Sequence, residues 1–84
     1  MKLLETVEMM NSSDFKERFK AEYYQLDNRI KGLDNMLGKY KEGLLSFKPK
    51  CSYELLYKQL IFMIEYRNIL EQRAMIENIE LGGN

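Results

Sequence analysis

Gln59, Arg67 and Arg73 stand in a helical repeat at positions where the surrounding spacing calls for apolar residues. A guanidinium left unpaired on a buried face costs on the order of several kcal/mol, so each arginine needs a carboxylate or an external anion. Folding the chain back near Phe47 is expected to bring Tyr23 and Glu22 toward Arg73, and Arg29 toward Tyr66. Two readings follow. In the simpler one, Glu22 or another carboxylate satisfies Arg73, and the polar positions set register or subunit number, as polar seam residues do in coiled coils. In the other, Arg29, Arg67 and Arg73 hold the phosphates of an anionic ligand, Tyr23 and Tyr66 stack on its aromatic part, and Gln59 adds a polar contact. Guanidinium presents forked donors that match phosphate, and tyrosine presents a flat face.

Catalysis has little to work with. The chain contains no histidine, which removes the commonest general base, the commonest zinc ligand and any ordinary catalytic triad. Its acidic residues are scattered among basic neighbours. No phosphate-binding glycine loop, zinc spacing or calcium loop occurs. Cys51 has no second cysteine or histidine to make it a metal ligand or an activated nucleophile, and is expected to be a small buried residue at a helix cap. No enzymatic activity and no cofactor are therefore expected.

The elements that position these residues are helical. Asn11-Ser12-Ser13-Asp14 supplies N-cap chemistry, with Ser13 or Asp14 as the cap, and predicts a helix over about 14–42. Along it Phe19, Tyr23, Leu26, Ile30, Leu33, Leu37 and Tyr40 alternate steps of four and three, a heptad seam. Gly32 and Gly38 each weaken that helix by about 1 kcal/mol relative to alanine, and suggest close approach of another helix. Glu42-Gly43 ends it, Pro49 prevents continuation, and Ser52 or Cys51 caps a second helix over about 53–79. A link this short turns the second helix back antiparallel to the first. Residues 1–12 read as a short helical or frayed lead-in and residues 81–84 as a flexible tail.

The second helix carries two seams. Leu56, Leu60, Met63, Leu70 and Ala74 form one; Leu55, Phe62, Ile69 and Ile76, seven apart, form the other with Tyr66 among them. At about 100° per residue these stripes lie a quarter-turn apart, and one partner helix covers only one of them. The expected fold is all-α, an antiparallel helical hairpin that assembles into a homo-oligomeric bundle, a dimer or a higher even state. A lone hairpin of this size buries too little to offset its ordering entropy.

Composition narrows the partners. Thirteen basic residues balance thirteen acidic ones, so bulk attraction to nucleic acid or an anionic membrane is not expected. No apolar run approaches the roughly 18 residues of a membrane span, and Glu5 and Glu8 spoil a signal peptide. A single cysteine fits a reducing compartment. Near the turn, Lys39, Lys41, Lys48, Lys50 and Lys58 outnumber Glu42 and Glu54 and alternate with Tyr40, Phe47, Tyr53 and Tyr57. Such a tip can grip phosphate or a single strand. Solvated lysines around aromatics that close the bundle end is the simpler account.

The segments Phe15-Lys16-Glu17-Arg18-Phe19-Lys20-Ala21-Glu22-Tyr23, Phe47-Lys48-Pro49-Lys50-Cys51, Leu55-Leu56-Tyr57-Lys58-Gln59-Leu60 with Met63 and Tyr66, and Leu70-Glu71-Gln72-Arg73-Ala74 resemble a family of small phage proteins first catalogued in crAss-like gut phages. The resemblance covers about residues 14–81. Ser52 stands where that family commonly has proline, which affects only the cap, and the stretch before Met10 looks additional, with Met10 itself a candidate start. No activity transfers residue by residue. The resemblance implies phage origin and action in the cytoplasm of a bacterial host, where small non-enzymatic oligomers often inhibit host defence and some trap nucleotide immune signals between subunits. The expected partner is thus a small anionic nucleotide-like ligand or, alternatively, a host defence protein.

Overall fold

A computed structural model describes residues 2–81. A 3-10 turn at Leu3–Glu5 leads into α1, Thr6–Met10; α2 spans Phe15–Glu42 and α3 spans Tyr53–Ile76. The described residues contain no strand. None of the helices is long and apolar enough to cross a membrane.

Local chemistry sets the ends of the two long helices. Asp14 has extended backbone, and its side chain accepts from the Lys16 amide at 2.9 Å, satisfying one of the donors that a first turn leaves free. The other end closes on Gly43 at φ 74°, where a side chain would be strained. The Leu44 amide then returns to the Lys39 carbonyl at 2.8 Å and the Gly43 amide to that of Tyr40 at 3.1 Å. Ser52 caps α3 by accepting from the Leu55 amide at 3.2 Å. Cys51, expected to be buried, is exposed instead, because the cap needs only the Ser52 hydroxyl and nothing folds over its neighbour.

The α2 heptad faces α3 throughout. Phe19, Leu26, Ile30 and Leu37 are buried against Leu60, Leu70 and Ala74, with Tyr23, Leu33, Leu56, Met63 and Ile64 partly buried alongside. Contacts between Lys16 and Asn78 (just past α3), Tyr23 and Glu71, Asp27 and Arg67, and Tyr40 and Tyr53 advance along α2 as they retreat toward the start of α3. The two helices therefore run in opposite directions.

α3 stops at Ile76, three residues short of the sequence expectation. Asn78 adopts φ 57°, and the Ile79 amide bonds back to the Ala74 carbonyl at 2.8 Å. This left-handed reversal buries Ile79 in the core without extending the helix. Leu81 packs against the same core and its carbonyl accepts from the Tyr24 hydroxyl, so the expected tail begins ordered; its remaining residues, 82–84, lie outside the described ones. At the other terminus α1 lies on α2. Thr6 is fully buried, donating to the Leu3 carbonyl at 2.6 Å and accepting from Gln25 at 2.9 Å.

The close helix approach expected at Gly32 and Gly38 does not occur within the chain. Among the described residues, a methyl group built at either would meet no atom within 4 Å beyond its chain neighbours and the backbone of its own helix. The seam formed by Leu56, Leu60, Met63, Leu70 and Ala74 is covered by α2, while on the other seam Leu55, Phe62, Ile69 and Ile76 remain 57%, 59%, 56% and 79% exposed. One face of α3 is in the core and a second apolar face is in water.

Candidate functional site

The fold divides the six candidate residues into three groups. Tyr23 and Arg67 meet in the polar middle of the α2–α3 contact. Arg67 Nη1 donates to Asp27 at 2.8 Å, and Lys31 Nζ pairs with the other Asp27 oxygen at 2.9 Å. Tyr23 donates its hydroxyl to Glu71 at 2.7 Å. Burial pushes the Asp27 carboxyl up, but hydrogen bonds from Lys31 and Arg67, together with their charges, outweigh it and hold the group below its usual range. Burial also pushes the Tyr23 hydroxyl up, to about 12, and the hydrogen bond and charge of Glu71 add to that shift. The Arg67 guanidinium is thus already engaged through Nη1, and its buried Nε has no hydrogen-bond partner among the described residues.

Gln59, Tyr66 and Arg73 form the second group, spaced seven apart on the uncovered face of α3. With Leu55, Phe62, Ile69 and Ile76 they complete a heptad stripe that faces water along its whole length. Arg73 does not meet Glu22 or Tyr23 as expected. Its Nε donates to Glu77 at 3.1 Å, one turn along its own helix, and its guanidinium lies 5.0 Å from the centre of the Phe19 ring. A partner on the same helix needs no tertiary reach, so it outcompetes one across the interface. Both members of that ion pair are well exposed, and such pairs contribute little.

Arg29 stands alone, exposed on α2 near the level of Tyr66, as the Asp27–Arg67 contact fixes the register. Asp27 is the partner of Arg67 that sequence reasoning missed. Its signals were the four-residue spacing to Lys31 and the matching four-residue steps Tyr23–Asp27 and Arg67–Glu71, which place both polar contacts on one antiparallel register.

Two further regions carry grooves. At the turn, Tyr40 and Tyr53 meet edge-on with centroids 5.6 Å apart and Tyr57 stacks on Tyr53 at 6.0 Å. Grooves of about 410 Å³, lined by Tyr40, Lys41, Tyr53 and Glu54, and about 210 Å³, running along Leu45, Phe47, Lys48 and Pro49, flank this cluster. At the opposite end a groove of about 330 Å³ is lined by Tyr23, Glu71, Ala74, Met75, Ile79 and Leu81. It is apolar with one acid and no cation, which suits a phosphate poorly.

No curated protein and no solved structure matches the chain. The model of one protein family, described as Sequestin, matches residues 13–76, the region that holds both long helices and every candidate residue. The family name suggests sequestration of a molecule, a binding role and not a catalytic one. The match spans most of the 84 residues, and the chain belongs to the Sequestin family.

Proposed function

We propose that this chain is a phage counter-defence protein that sequesters a nucleotide-derived immune signalling molecule without cleaving it, acting in the host cytoplasm as a homo-oligomer of antiparallel helical hairpins. The observation that carries the reading is the exposed α3 stripe. There Tyr66 and Gln59 have no side-chain hydrogen-bond partner among the described residues, and Arg73 has an exposed ion pair and the face of the Phe19 ring, on a helix whose other face packs against α2. Arg73 and Arg29 supply charge for phosphate, Tyr66 an aromatic surface and Gln59 a polar contact. Tyr23 and Arg67 support the site from behind, since Glu71 and Asp27 already occupy them. The family name agrees with a protein that holds its ligand.

Calorimetric titration against cyclic dinucleotides and ADP-ribose derivatives tests this, with recovery of the ligand after denaturing the protein. Tight binding and an unaltered ligand are expected; no binding across the panel, or a cleaved product, contradicts the proposal. The bare apolar stripe also favours a second reading, a helical interaction protein that docks on a host defence protein and inhibits it. A stoichiometric protein partner captured from host lysate, with no small ligand bound, selects that alternative.

A further inference from the structure

We infer that the uncovered α3 stripe is occupied by the same stripe of a second copy running antiparallel, and that each end of this pairing forms an anion site to which both copies contribute. The site part of the inference rests on the sequestration reading; the pairing does not.

Leu55, Gln59, Phe62, Tyr66, Ile69, Arg73 and Ile76 alternate steps of four and three and span about 30 Å of helix. Five of the seven are apolar or aromatic and stand in water, so a helix with the same repeat is the shape that fits. Direction follows from charge. A parallel pair places every residue at the level of its own copy, which sets Arg73 against Arg73 inside an apolar seam. An antiparallel pair centred between Phe62 and Tyr66 removes that clash. Phe62 then meets Tyr66 of the second copy twice at the centre, Gln59 meets Ile69, and Arg73 lies over Leu55 at each wet end. The aromatic groups gain the most buried positions and the charge the least buried ones. The two Glu65 side chains flank the centre at the solvated rim, where like-charge repulsion is weak.

This register brings Lys58 and Gln59 of one copy beside Arg73 of the other. Lys58 makes no ion pair with the described residues, and Arg73 holds its exposed bond to Glu77 through Nε while its guanidinium lies over the Phe19 ring. Two cations and an amide from different chains then converge at each end of the seam, with the rim edge of Tyr66 roughly 10 Å inward. Two adjacent phosphates suit such a cluster, and the dimer has two equivalent sites.

Disulfide mapping on the full chain tests the pairing without any ligand. In a Cys51→Ser background, Gln59→Cys and Ile69→Cys are prepared separately and mixed. The antiparallel register predicts cross-linked dimers in the mixture and none in either sample alone, because like positions are then about 15 Å apart, beyond disulfide reach. Cross-linking of each variant with itself shows a parallel pair and overturns the inference. Sedimentation equilibrium of the unaltered chain guards against misfolded variants: a monomer at micromolar concentration, or a dimer without the mixed cross-link, overturns it as well. The shared site is probed with inorganic pyrophosphate. Lys58→Gln and Arg73→Gln are each expected to weaken its binding at least tenfold while the cross-link persists; unchanged affinity in Lys58→Gln removes the second copy's contribution. Absence of binding to any nucleotide with the cross-link intact defeats the proposed function and leaves the pairing standing.

Discussion

Arg67 of α3 donates to Asp27 of α2 at 2.8 Å, one turn along each helix from the bond between Tyr23 and Glu71. The two contacts fix a single register for the antiparallel pair, since a shift of one residue would separate both. Asp27→Ala leaves Arg67 largely buried without its carboxylate and is expected to destabilise the fold by about 1–3 kcal/mol. Adding Arg67→Met to it should recover most of that loss, leaving the double variant within about 1 kcal/mol of the parent. Urea denaturation of the single and double variants measures both.

The same cluster sets the response to pH. Asp27 has its pKa lowered on folding, so its stabilising effect is present above the unfolded carboxylate range and disappears as pH falls through the folded value, below about pH 4. Tyr23 is shifted the other way, from 10.0 to about 12. Its contribution is complete below pH 10 and is lost as pH rises toward 12, because the unfolded chain releases that proton first. Stability curves in urea should fall at both extremes, and Tyr23→Phe should flatten the alkaline fall while leaving the acid one.

Much of the fold was legible because a heptad reports which face of a helix is apolar. Six of the seven α2 seam positions lie in or against the core and Tyr40 packs edge-on against Tyr53, while the second α3 stripe stays bare because α2 covers only the first. What was not legible depends on reach and on short-range competition. Periodicity continues through Ile79, so it could not show that Asn78 reverses the chain and buries Ile79 from outside the helix. It marked Arg67 and Arg73 as needing partners, but not that Asp27 would serve one and the neighbouring Glu77 the other. The α1 helix is too short for a periodic signal, although buried Thr6 anchors it to Gln25.

Glycines separate helix propensity from packing. Alanine at position 32 or 38 meets no described residue beyond its own helix, so Gly32→Ala and Gly38→Ala should each stabilise the fold by up to about 1 kcal/mol. Gly43→Ala places a side chain at φ 74° and should destabilise it by about 1 kcal/mol. Thermal unfolding of the three variants reads the signs directly.

Binding and folding should separate along the two faces of α3. Tyr66→Ala and Arg73→Gln alter exposed residues and are expected to weaken nucleotide binding tenfold or more while changing the stability of the fold by less than about 1 kcal/mol. Arg67→Gln should do the reverse, lowering stability with a smaller effect on affinity. Calorimetry and urea denaturation on the same preparations compare the two quantities.

Native mass spectrometry of the unaltered chain, alone and with the nucleotide panel, bears on the whole account at once. The expected spectrum shows an even number of subunits that takes up one intact ligand per chain. A monomer that retains no member of the panel would contradict it.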